Sequence, residues 1–301
     1  MLRMNVRTRR FSLCAILLLL GALYFFSRKS FILDSNSKNI VSLRLLLNAA
    51  IKAAELGGYE VVYVHDQTTF NVESKGKTKE GVNNPVTAAD YRSHCVMYHS
   101  LKDAFSGITV ISEEASKDCD KVFVPDPWVP VSNLKEYDIG DDFENIEDIT
   151  IWIDPLDATK EFTENLLQYV TTMVCIAVRG KPVIGVIYKP FETKKEHKLY
   201  WAWVGRGASP NLYNLPKHGG AGFKFLEVAV GNATAYIHTT AINKWDICSG
   251  TAIISALGGK TTSLFDGHFI NFDSSDTKIL TSGLLATMTG HNWYLDKFLN
   301  I

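Results

Sequence analysis

One run constrains this chain more than any other: Trp152-Ile153-Asp154-Pro155-Leu156-Asp157-Ala158-Thr159. Two aspartates stand three apart, behind an apolar strand (Ile151, Trp152, Ile153) and ahead of a helical segment expected over 160–169. Pro155 fixes its own φ and bends the chain, so the spacing predicts a tight turn with both carboxylates aimed at one spot. Thr159 and the backbone N–H groups after it then open a helix, an end that favours an anion such as phosphate. Carboxylates beside a phosphate repel it unless cations lie between them. The run therefore reads as a magnesium-bridged phosphate site. The bland reading of the same residues is an N-capped junction between a strand and a helix.

Other acids fall where that chemistry would want them. Glu113-Glu114 follows the apolar Ile108, Val110 and Ile111, which puts a carboxylate at a strand end. Asp90 closes Val86-Thr87-Ala88-Ala89-Asp90, just before a helix expected over 91–104. Asp246 follows Trp245 in Lys244-Trp245-Asp246-Ile247-Cys248-Ser249-Gly250, where an apolar segment meets a helix expected over 246–257. Singly, each is better explained as a helix cap or a solvated acid. Together they form an ordered set: Asp, then Glu-Glu, then Asp-Pro-Leu-Asp-x-Thr, then Trp-Asp. Hard cations want carboxylates and carbonyls, and no His or Cys is placed to favour zinc.

That ordered set resembles the inositol monophosphatase superfamily of magnesium-dependent, lithium-sensitive phosphatases, over about residues 39–298. Ala158 stands where most of the superfamily has Gly. Further stretches are most similar to the branch acting on 3′-phosphoadenosine 5′-phosphate: Tyr169-Val170-Thr171-Thr172-Met173-Val174-Cys175, the segment 180–187, Ser74-Lys75-Gly76-Lys77-Thr78 and Gly219-Gly220-Ala221-Gly222-Phe223-Lys224. The resemblance implies an α/β fold, a layered αβαβα sandwich. It implies that Glu113, Asp154 and Asp157 hold Mg2+, that the Leu156 carbonyl helps, and that Asp246 closes a second metal, two or three ions in all. Asp90 and Thr159 would position or deprotonate the attacking water. Ala158, Thr159, Gly222 and Lys224 would meet the substrate, a small nucleotide that loses its 3′-phosphate to give AMP and phosphate. Glu114 is expected to be an acid behind the ligands or a structural one rather than a ligand. Two other functions stay open: the same chemistry on inositol phosphates, and a non-catalytic membrane protein that keeps the metal residues. A homodimer is compatible with either.

One departure stands out. In the resembling branch, a strand carrying a Ser-x-x-His adenosine contact, followed by a helix, precedes the Gly219 turn. Here the interval 205–218 is short and holds Pro210 and Pro216. A few tens of residues are absent, so the second domain is expected to be incomplete and part of the substrate pocket lost.

At 301 residues the chain can bury a real core, and a net charge of −1 argues against a nucleic-acid scaffold, which would be basic, though not against a nucleotide substrate. Residues 11–26 are almost wholly apolar, shorter than the ~20 that span an average bilayer. A cleaved signal peptide is the alternative, but Tyr24-Phe25-Phe26-Ser27-Arg28-Lys29 offers no small-residue cleavage site. Arg3, Arg7, Arg9 and Arg10 precede the span, so the positive-inside rule leaves the N-terminus cytosolic and the folded part luminal. The expected organisation is a cytosolic tail at 1–10, a transmembrane signal anchor at 11–26, a stem at 27–39, a metal-binding α+β domain at 40–210 and an incomplete C-terminal domain at 211–301. The expected location is the Golgi membrane, single-pass type II. Asn232-Ala233-Thr234 is a glycosylation sequon that a lumen would make usable. Cys95, Cys119, Cys175 and Cys248 show neither metal spacing nor a disulfide framework, and Cys175 reads as plain core. Lys75, Lys77 and Lys79 make a basic loop, and 117–148 an acidic, irregular one.

Overall fold

The computed structural model describes residues 39–67, 72–77, 83–115, 119, 122, 139–213 and 221–299. The expected anchor at 11–26 and most of the acidic loop at 117–148 lie outside the described residues, as do the side chains of Lys75, Lys77 and Lys79. No helix among the described residues is long and apolar enough to cross a membrane. The chain divides at Val41 into a short N-terminal unit and the unit Ser42–Ile301, which carries every residue of the expected site.

Helix α1 (Leu43–Asp66) starts where the Ser42 side chain accepts from Leu45 N. The sequence predicts its end at Gly57-Gly58, yet it runs on to Asp66. The two glycines are points of close approach rather than a stop. A Cβ at Gly57 would collide with Met97 and Ser93, and one at Gly58 with the Tyr188 ring. A short ribbon, β1 (Val72–Lys77) with β2 (Asn83–Thr87), leads into α2 (Ala88–Ala104). Six strands follow: β3 (Thr109–Ser112), β4 (Ile149–Asp157), β5 (Thr171–Val178), β6 (Lys181–Tyr188), β7 (Leu199–Trp203) and β8 (Gly207–Ala208). They form one sheet in the order β8-β7-β6-β5-β4-β3, parallel only between β3 and β4. Its middle strands are buried along their whole length, as a sheet covered on both faces requires.

Helices α1 and α2 pack on one face. On the other lie α4 (Ala221–Ala229) and α5 (Lys244–Ala256), with α3 (Thr159–Thr163) a short turn between the two halves of the chain. A three-stranded antiparallel sheet, β9 (Ala235–His238), β11 (Lys260–Ser263) and β13 (Leu284–Thr287) in the order β9-β13-β11, backs α4 and α5. A further ribbon joins β10 (Ile242–Asn243) to β12 (Ile279–Leu280). Alternation then sets the layers. Tyr236, Leu284 and Ala286 face the core shared with Trp152 and Phe225, while Ile237 and Leu285 face α6 (His291–Leu299). The order is helix, sheet, helix, sheet, helix.

Two further expectations need correction. The helix expected over 160–169 is only α3, because Asn165 takes a φ of 60° and the chain continues as a 3-10 turn at Leu167–Tyr169. The four cysteines pair as Cys95–Cys119 and Cys175–Cys248. Separations of 24 and 73 residues join different elements, so neither pair shows as a local spacing pattern. By chain entropy, loops of that size contribute about 3–5 kcal/mol each. Cys175 is thus not plain core: it fastens β5 to α5.

Candidate active site

Strand β4 carries both aspartates of the opening run. In a regular strand, residues three apart point to opposite faces. Asp154 pairs with Met173 and Asp157 with Thr171, so the two residues 155 and 156 face only Thr172. This one-residue bulge at Pro155 restores both carboxylates to one face. The aspartates therefore sit on the bulged end of a strand, not on the tight turn the sequence predicts. Ser93 Oγ of α2 donates to the Pro155 carbonyl at 2.6 Å, and Leu156 N donates to Asp154 Oδ1 at 3.2 Å, holding the bulge.

Glu113, Asp154 and Asp246 converge, one carboxylate oxygen from each lying within 4.8 Å of the others. Glu113 arrives at the end of β3, its N–H bonded to the Ile153 carbonyl. Behind it, Ser112 Oγ meets His94 Nδ1 at 2.8 Å. Glu114 is buried. Asp246 is the third residue of α5, and its Oδ2 accepts from Asn243 N at 3.2 Å, so one oxygen caps the helix. Asp90 repeats the device on α2: Oδ2 accepts from Thr87 N and Oγ1 at 2.7 and 2.8 Å. Its Oδ1 accepts from Thr159 Oγ1 at 3.0 Å, and the same hydroxyl lies 3.1 Å from the Leu156 carbonyl. Cap and site are thus two readings of the same residues. Capping aims one oxygen at the backbone and frees the other.

Asp157 is not one of the converging three, though its charge acts on Asp154. Its Oδ2 accepts from Gly222 N at 2.9 Å and Thr171 Oγ1 at 3.3 Å, which seats it on the first turn of α4. Gly222 is needed there: a Cβ would meet Thr171 Oγ1 at 2.9 Å. Exposed Lys224 lies on the same helix, its ammonium 5.3 Å from the centroid of the Tyr236 ring. Ala158 has a φ of 69°, the left-handed region that glycine adopts freely. The short α3 has too few aligned peptides to act as the expected anion-binding helix end, although Thr159 does open it. Asn232 lies exposed on the turn before β9.

The charges are costly as they stand. Burial, then Glu113, Asp157, Asp246 and Asp90, push the Asp154 carboxyl well above the usual carboxylate range. Burial pushes Asp157 up to about 6, against the pull of Gly222 N–H and Lys224. Crowded carboxylates in a buried site call for protons or a cation between them. The donors are all oxygen, which fits a hard divalent cation such as Mg2+. Sequence reasoning missed Thr171 and Ser93, whose approach depends on the bulge and on the packing of α2 against it.

The inositol monophosphatase family profile matches residues 42–218 and 210–297, two stretches that meet inside the interval 205–218. A Xenopus laevis protein named inositol monophosphatase 3 is 38% identical over 326 residues, covering 90% of this chain and 88% of that one. A Mus musculus protein named Golgi-resident adenosine 3′,5′-bisphosphate 3′-phosphatase is 39% identical over 287 residues, covering 82% of this chain and 78% of that one. Both alignments are longer, by a few tens of positions, than the part of this 301-residue chain they cover. In fold, the suhB protein of Bartonella henselae superposes with a TM-score of 0.58 at 18% identity, over 85% of this chain and 97% of that one.

Proposed function

The chain belongs to the inositol monophosphatase family of phosphomonoester hydrolases, and from that premise we propose that it is a Mg2+-dependent phosphatase removing the 3′-phosphate of 3′-phosphoadenosine 5′-phosphate. The observation that carries the chemistry is the convergence of Glu113, Asp154 and Asp246, with Asp157 beside them. These four residues would hold the cation or cations, with the Leu156 carbonyl. The bound metal would supply an activated water and offset phosphoryl charge. The remaining work falls to the chain. The Asp90 oxygen that faces Thr159 keeps the Thr159 hydroxyl proton turned toward itself, leaving the Thr159 lone pairs free to accept a proton from the attacking water. That proton enters Thr159 Oγ1 as the hydroxyl proton passes to Asp90. Lys224 and the Gly222 turn support the substrate assignment, in line with the mouse relative's name.

A second reading is favoured by the frog relative's name and by the shortened interval: the same chemistry on inositol phosphates. Phosphate release by the full chain from each substrate, with and without Mg2+, separates the two. Asp157→Asn should lower release at least ~100-fold without unfolding the protein. Release within a few-fold of wild type would reject its assignment. No release from either substrate, despite a Mg2+-dependent melting shift, would indicate a chain that binds metal without turning over.

Luminal residence on a Golgi membrane is part of the proposal. Two disulfides favour an oxidising compartment, and exposed Asn232 suits glycosylation there. Protease added to sealed microsomes should spare the folded unit. Digestion without detergent would overturn this topology.

A further inference from the structure

Tyr236 packs from the second sheet against α4, the helix on whose first turn Asp157 is seated. It is the second residue of β9 and faces inward, in the core cluster that holds Ile247 and Cys248, which follow Asp246, and Ile111 and Trp152, which precede Glu113 and Asp154. Its ring is clamped edge-on against Phe225, centroids 5.2 Å apart, with the Lys224 ammonium over its face. The side chain therefore has no freedom to turn its hydroxyl elsewhere. That hydroxyl is sealed from solvent and has no hydrogen-bond partner among the described residues. Asp157 and Asp246 are close enough for their charges to add to burial in holding the phenol protonated.

A buried O–H without a partner is destabilising, and the Asp157 and Asp246 carboxylates are acceptors of the kind it lacks. Without a cation they are held off by mutual repulsion and by other bonds: Asp157 by Gly222 and Thr171, Asp246 by the cap of α5. We infer that Tyr236 is a positioning residue of the cation site, its hydroxyl donating into the Asp157–Asp246 side of the cluster when a divalent cation draws the carboxylates together. Through β9 it would also make the second sheet a participant in cation binding, not merely a backing layer. This inference rests on the metal reading of the site.

Tyr236→Phe removes the oxygen and keeps the ring. In chelator, its melting temperature should equal or exceed that of wild type, since an unpaired buried group has gone. Mn2+ binding, followed by the loss of the free-ion paramagnetic signal, should weaken about 10-fold, as when an outer partner of a ligand is lost. The turnover number should fall with little change in KM. Mn2+ affinity within about two-fold of wild type would overturn the inference, and so would a lower melting temperature in chelator, because the hydroxyl would then already be paired in the metal-free fold. If the wild-type chain itself fails to bind Mn2+, the metal reading falls, and this inference with it.

Discussion

Gly222→Ala should separate the two halves of the site. The new methyl would lie 2.5 Å from Met173 Sδ, 2.9 Å from Thr171 Oγ1 and 3.4 Å from Asp157 Oδ2. Met173 can swing its sulfur away. Thr171 cannot move as cheaply, because its hydroxyl is bonded to Asp157. The first turn of α4 must then retreat and stretch the 2.9 Å bond from Gly222 N to Asp157. A hydrogen bond to a charged group contributes about 1.5–3 kcal/mol, and overpacking costs about 1–3 kcal/mol. Partial relief by Met173 brings the sum to about 2–4 kcal/mol. In a folded unit of this size that lowers Tm by roughly 5–15 °C. The backbone N–H also helps hold down the Asp157 carboxyl, so its loss should raise that group above about 6 and weaken Mg2+ binding near neutral pH. Scanning calorimetry at pH 8, with and without Mg2+, reads both effects. In an Asp157→Asn background the same substitution should cost less by about 1 kcal/mol, because the bond lost is no longer to a charge. A Gly222→Ala protein melting within about 1 °C of wild type would refute the argument, as would an equal cost in both backgrounds.

Other outcomes follow from the same geometry. Ala158→Gly should stabilise the protein by about 0.5–1 kcal/mol, since a left-handed L-residue costs about 1–2 kcal/mol and glycine's extra unfolded freedom returns only part of it; urea unfolding checks this. Asp157 binds its proton more tightly folded, up to about 6, than unfolded, so without metal its contribution to stability falls as pH rises through that value. Mg2+ competes with that proton, and the Tm increase it produces should grow from pH 5 to 7 and then level off. His94 and His291 are held neutral with values of about 4 against an ordinary 6.5, so the stability they contribute is whole above about 6.5 and lost as pH falls toward about 4. Replacing both with Gln should flatten the acid limb of a pH–Tm curve.

Much of the site was legible in the sequence because its residues are punctuation. Asp90 and Asp246 mark helix starts, Glu113 a strand end and Pro155 a break in pairing, and these are also where side chains can face a ligand. Asp154 and Asp157 could be named as a pair, but the way they come to share a face could not, since it depends on Thr172 alone standing opposite residues 155 and 156. Gly57 and Gly58 mislead for the opposite reason: a local stop signal is outweighed by the tight packing of α1 on Met97 and Tyr188. The disulfides were hidden because Cys175 and Cys248 meet only when α5 lies across β5. Tyr236 was hidden too, as an ordinary strand residue until the second sheet packs it against Phe225 and Lys224 of α4.

The most direct test is the initial rate of phosphate release by the full chain from 3′-phosphoadenosine 5′-phosphate, titrated with Mg2+ from a chelated start, beside an inositol monophosphate control. The account predicts no release in chelator, a saturable rise with Mg2+, preference for the nucleotide, and loss of the signal in Asp154→Asn. Release that persists in chelator, or survives Asp154→Asn at the wild-type rate, would contradict it.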